Sequence, residues 1–99
     1  MTDEGKNRID QRRAEIDEID ATLLELLNRR VRVVTEIGTI KKTANAPVSD
    51  PGREQAVLHR LRSSNRGPLD EPGITRIFRR IIRESRRIEE RVWSEEDRA

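Results

Sequence analysis

An apolar stripe of helical period across residues 9–40 is the strongest constraint this sequence places on its fold. Ile9, Ile16, Ile19, Leu23, Leu26, Leu27, Val33, Val34, Ile37 and Ile40 fall three, four or seven apart. That is the spacing of one helix face, and its period of about 3.5 suits coiled-coil-like packing. No proline interrupts residues 1–46. The spacing predicts a first helix from about Arg8 to Thr43, roughly 50 Å long at about 1.5 Å per residue. A domain of this size has a radius of gyration of only about 13 Å. A helix that overshoots its own domain must find its packing partner in another chain, so a homodimer is expected. Composition agrees: of 99 residues, 32% are apolar, 2% aromatic and 40% charged. A single globule with so little to bury would be marginal.

Two further helices follow. Asn45, Ala46 and Pro47 end the first. Asp50 before Pro51 is a carboxylate N-cap followed by a proline in the first helical position, a strong start signal. The second helix carries Val57, Leu58 and Leu61 on one face and fades at Ser63, Ser64 and Asn65. Gly67 and Pro68 mark a turn, and Asp70, Glu71 and Pro72 start the third helix in the same way. Its stripe is Ile74, Ile77, Phe78, Ile81, Ile82, Ile88 and Val92. The tail from Ser94, including Glu96, is polar and should fray. The expected fold is all-α, with long, short and medium helices in a single domain over 1–99, its core about 8–93, paired into an intertwined helical homodimer.

Several function classes drop out. No run of about 18 apolar residues could cross a membrane, and no apolar stretch near the start resembles a signal peptide. Without cysteine there is no disulfide framework and no thiolate chemistry. A cytoplasmic protein without metal or cofactor is expected.

Charge is informative where it breaks the stripe. Of 21 basic residues, 18 are Arg, whose planar fork grips carboxylates bidentately. Arg30 stands on the seam of the first helix, Arg13 lies one turn before Ile16, and Lys41 shares a face with Arg30, Val34 and Ile37. A charge on such a face is costly unless something pairs with it. Buried Asp or Glu would be the structural explanation; a bound anion would be the functional one. On the third helix Phe78, Ile82, Ser85 and Glu89 share a face that turns polar after Ile82. A serine bonded back to its own helix and an exposed Glu89 would be the plain reading. Asp50, Arg53 and Glu54 cluster within one turn, where capping plus a local ion pair would suffice. His59, the only histidine, sits on a polar stretch. Together the inward groups suit a small dianion. They offer no nucleophile–base pair and no metal-ligand spacing, so an enzyme built on them would work by positioning and electrostatics.

These residues resemble the all-helical chorismate mutase family. The matching segments are Arg13-x-x-Ile16-x-x-Ile19-Asp20, Leu23-x-x-Leu26-Leu27-x-x-Arg30 and Ile37-Gly38-x-x-Lys41, followed by Pro47-Val48-x-Asp50-x-x-Arg53-Glu54, Gly67-Pro68-Leu69 and Ile77-Phe78-x-x-Ile81-Ile82-x-x-Ser85. The resemblance implies an intertwined homodimer that rearranges chorismate to prephenate, on the branch to phenylalanine and tyrosine. It implies that Arg13, reaching from the partner chain, and Arg30 bind the two carboxylates, with Arg53 and Ser85 in support. Lys41 would bond the ether oxygen, Asp50 and Glu54 the ring hydroxyl, and Ile37 and Ile82 would form apolar walls. The better-known bacterial pattern has Gln where this chain has Glu89, which must be protonated to donate. Arg86 stands where an apolar residue often lines the site.

Isochorismate pyruvate-lyase and aminodeoxychorismate mutase share this scaffold and remain alternatives. A basic helical dimer that binds nucleic acid is a rival of another class, because Arg76, Arg79, Arg80, Arg83, Arg86, Arg87 and Arg91 line the third helix. Glu71, Glu84, Glu89, Glu90, Glu95 and Glu96 interleave with them, as on a solvated, salt-bridged face, so neither nucleic acid nor membrane is the expected partner. A regulatory or docking module without activity, tied to another enzyme of the same pathway, is the third alternative.

Overall fold

A computed structural model describes residues 2–98, with side chains through Glu95; Glu96, whose charge entered the expectation above, therefore has its side chain outside the described residues. Three helices follow in order: α1 Asp3–Thr43, α2 Pro51–Ser64 and α3 Glu71–Arg98. No strand occurs among the described residues, and no helix is long and apolar enough to cross a membrane.

The helix ends show why the chain breaks where it does. α1 starts five residues before the expected Arg8. Thr2 caps it, its Oγ1 accepting from the Gly5 amide at 3.1 Å, and Asp3 and Glu4 occupy the first turn, where the helix dipole favours acids. At the other end Asn45 takes a left-handed conformation, φ 57°. The Ala46 amide donates to the Lys41 carbonyl at 2.8 Å and the Asn45 amide to the Lys42 carbonyl at 3.1 Å. That bond pair is a Schellman closure. Asp50 caps α2, its Oδ1 accepting from the Arg53 amide at 3.0 Å, and Asp70 caps α3 through the Gly73 amide at 2.7 Å. α3 does not fray at Ser94 but continues to Arg98. No glycine or proline stands in that tail to break it.

The chain divides into two units, Met1–Arg30 and Val31–Ala99. The first consists of α1 up to Arg30 with its cap, and Ile16, Ile19, Leu23 and Leu26 there are all more than half exposed. The second holds the last turns of α1 together with α2 and α3. Its buried apolar side chains, among the described residues, are Val57, Leu58 and Ile74.

Contacts fix the directions within the second unit. Arg62 donates to Thr75 Oγ1 at 3.1 Å, while Glu54, two turns earlier on α2, meets Arg86 much later on α3. α2 and α3 are therefore antiparallel. Gly38 packs against Glu89, and Lys42 Nζ donates to the Trp93 carbonyl at 3.3 Å. Both members of these pairs advance together, so the last turns of α1 run parallel to α3.

Candidate active site

The convergence of three helices in the second unit gathers polar groups around one buried carboxyl. Glu89 is only 4% exposed, and its Oε2 has no hydrogen-bond partner among the described residues. The glycine of α1 makes room for it: a Cβ on Gly38 would stand 2.7 Å from Glu89 Cγ and 3.0 Å from Oε2. Burial raises the Glu89 pKa from its ordinary 4.5, because the charged form loses its solvation. Lys41 pulls the other way, Glu90 adds a smaller upward push and Arg86 a smaller downward one. The net displacement is upward. The plain reading of an exposed Glu89 therefore does not hold: it is buried, while Lys41 is bonded to the Val48 carbonyl and Arg86 to Glu54.

Those partners are specific. Lys41, in the last turn of α1 and half-buried, donates its Nζ to the Val48 carbonyl at 3.0 Å. The Schellman closure turns the chain back so that the carbonyl of Val48 meets that amine. Arg86 reaches across to α2 and binds Glu54 Oε2 at 2.7 Å, with the two side chains 29% and 16% exposed. Glu54 therefore does not form the ion pair within its own turn that its neighbours Asp50 and Arg53 suggested. Asp50 is exposed and serves as cap, and the Arg53 side chain is exposed.

Ser85 is buried and donates to the Ile81 carbonyl at 2.9 Å, so the bond back to its own helix is present. Ile82 is half-buried and Ile37 is 43% exposed. His59 is exposed. The remaining two candidates belong to the first unit, where Arg13 is exposed rather than inward and Arg30, its last residue, is half-buried. Among the described residues no three His, Cys, Asp or Glu side chains gather as a metal site. On the outer face of α3, Glu84 pairs with Arg80 and with Arg87, both at 3.1 Å, as a solvated, salt-bridged surface would.

Two features escaped sequence reasoning. Gly38 is conspicuous only once the carboxyl it admits is located. The Glu54–Arg86 pair had a signal: a short turn at Gly67 implies an antiparallel hairpin, and reflecting Glu54 through it lands at Arg80, on α3 and roughly two turns before Arg86.

A cradle of this kind, with one protonatable carboxyl, a nearby ammonium and a second paired carboxylate, can donate to an oxygen on which negative charge grows. Comparison with known proteins agrees with that chemistry. The family model for chorismate mutase type II matches residues 12–90. The chain is similar to a bifunctional chorismate mutase/prephenate dehydratase of Neisseria gonorrhoeae, 42% identical over 74 residues, which are 75% of this chain and 20% of that protein. The chain thus spans about a fifth of the length of the bifunctional relatives. It is 34% identical over 92 residues to a 4-amino-4-deoxychorismate mutase of Streptomyces venezuelae, covering 92% of this chain and 89% of that protein. Among solved structures, the chorismate mutase from Helicobacter pylori in complex with prephenate aligns with a TM-score of 0.84 at 30% identity, covering 90% of this chain and 97% of that one.

Proposed function

The chain belongs to the chorismate mutase type II family, and from that premise we propose that it rearranges chorismate to prephenate as a homodimer, without a cofactor. The observation that carries this reading is Glu89, a buried carboxyl with an open oxygen and a raised pKa, within the electrostatic reach of Lys41. Chorismate mutation is pericyclic, and no nucleophile, base or metal has to act in it. The site must hold the substrate in its compact diaxial conformer and stabilise the charge that grows on the ether oxygen as its C–O bond breaks. Donors fixed in place before the reaction favour the transition state over the ground state.

In this reading Lys41 and protonated Glu89 donate to the ether oxygen. Arg30, with Arg13 of the partner subunit, grips the two carboxylates, and bidentate forks at both ends hold the reacting carbons together. Arg53 and Ser85 support the carboxylates. Glu54 accepts from the ring hydroxyl, and Asp50 serves that end through its backbone. Ile37 and Ile82 wall the ring. A second copy of the chain supplies Arg13 and covers the exposed stripe of α1. A cytoplasmic location belongs to the same reading.

Loss of chorismate absorbance on addition of the purified protein tests the assignment. Turnover that scales with enzyme is expected; none at any enzyme concentration overturns it. The likeness to the Streptomyces venezuelae enzyme over nearly its whole length favours one second reading, a 4-amino-4-deoxychorismate mutase. The same assay with the amino substrate decides between them, with the larger kcat/KM expected on chorismate.

A further inference from the structure

Arg86 has no part in the carboxylate-binding or ether-oxygen roles assigned above, yet it is the most committed arginine of α3. It is held away from the exposed Glu84 cluster that engages Arg80 and Arg87. It crosses instead to α2, where its guanidinium meets Glu54 Oε2 at 2.7 Å with both side chains largely withdrawn from water. We propose that Arg86 is a specificity-setting positioning residue: by holding Glu54, it makes the ring-substituent end of the site select a hydroxyl over an ammonium. The inference rests on the assignment of Glu54 to that substituent.

Charge and hydrogen-bond capacity both lead there. An unpaired, mostly buried carboxylate is a counterion in waiting, and an ammonium would satisfy it best. Paired with Arg86, Glu54 is already neutralised. Its second oxygen can still accept, and a hydroxyl needs only an acceptor. An amine at the same ring position is protonated at neutral pH, and would meet a guanidinium alongside the carboxylate it seeks. Asp50, the other carboxylate at this end, is exposed and caps α2 by accepting from the Arg53 amide, so water and the helix N-terminus screen its charge. The selection is by repulsion of the wrong substrate as much as by attraction of the right one.

The pair also explains the conformation of Glu54. A Glu in the first turn of a helix ordinarily bends toward the free amides of its own N-terminus. Here that place is taken by Asp50, and Glu54 is drawn toward α3. One oxygen is fixed by the guanidinium, which sets the direction of the other.

The test compares kcat/KM for chorismate and for 4-amino-4-deoxychorismate in the intact protein and in Arg86→Gln, Arg86→Lys and Glu54→Gln. Arg86→Gln keeps a donor and removes the charge. It should raise the amino-to-hydroxy ratio by about tenfold or more, whereas Arg86→Lys should leave it within about twofold. Glu54→Gln leaves the guanidinium without its counterion and should move the ratio the opposite way. A merely structural role for Arg86 would lower both rates together. An unchanged ratio in folded Arg86→Gln, or a ratio that does not fall in Glu54→Gln, overturns the inference while leaving the chorismate reading intact. Failure of the unmodified protein to turn over chorismate overturns the reading itself, and the inference with it.

Discussion

Burying a carboxyl whose Oε2 has no hydrogen-bond partner among the described residues ties the stability of this chain to pH through Glu89. Its folded pKa is raised above the ordinary 4.5. Between those two values the folded chain holds a proton that the unfolded chain has released, so stability falls as pH rises through that window. Glu89→Gln should abolish the fall: urea unfolding at about pH 4 and about pH 8 should show a variant whose advantage over the parent grows with pH. Activity should follow the same proton. As the proposed donor, Glu89 works only when protonated, so kcat should decline as pH rises through its pKa in the complex, and Glu89→Gln should flatten the decline. Parallel pH profiles for the two proteins would exclude it as the donor. Gly38→Ala is the complementary test. A Cβ placed 2.7 Å from Glu89 Cγ must displace that side chain, at an overpacking cost of about 1–3 kcal/mol. The gain of about 1 kcal/mol in helix propensity offsets only part of this. Turnover should drop and the pH dependence should weaken with it, although helix content measured by circular dichroism should hold. The sequence placed Glu89 on the right face of α3 but left its charge open, because burial and Lys41 oppose one another and only packing decides between them.

Element boundaries were legible wherever a side chain announces them. Asp50 before Pro51 and Asp70 before Glu71-Pro72 mark the starts of α2 and α3, and both aspartates make the expected bonds. The start of α1 was misplaced because residues 3–8 contain no large apolar side chain; periodicity is silent there, and only the Thr2 cap reveals the helix. The caps are also where stability can be altered locally. Asp50→Ala removes the acceptor for the Arg53 amide and should cost about 0.5–2 kcal/mol. Asn45 already tolerates its left-handed backbone better than most residues, yet Asn45→Val should destabilise by about 1–2 kcal/mol. Asn45→Gly should be neutral or mildly stabilising. Midpoints of urea unfolding at constant slope check all three. Asn45→Val should also impair turnover, since the closure it disturbs brings Val48 to Lys41. The contact between Glu54 and Arg86 was less legible than the caps, because it joins residues on different helices that only the hairpin's register brings together.

At the scale of the molecule, the three apolar side chains buried among the described residues cannot by themselves stabilise a fold of this length. The proposed second copy would cover the face that leaves Leu23 51%, Ile19 58% and Ile40 67% exposed. Light scattering at micromolar concentration should give twice the 11.5 kDa chain mass; a folded species of single mass would sink the proposal. If each site takes Arg13 from one chain and Arg30 from the other, Arg13→Ala and Arg30→Ala chains should each be nearly inactive. The loss of one such donor costs about 3–4 kcal/mol in transition-state energy. Mixed after unfolding and refolding together, they should regain activity, because a heterodimer restores one site of its two. No recovery would mean that both arginines come from one chain. The exposed stripe of α1 has a further consequence, in time rather than in energy. A chain that completes its core only against another cannot finish folding alone. Its refolding should be second order, with a half-time that shortens as chains are added, and a newly made copy should stay open to proteases until it meets its twin.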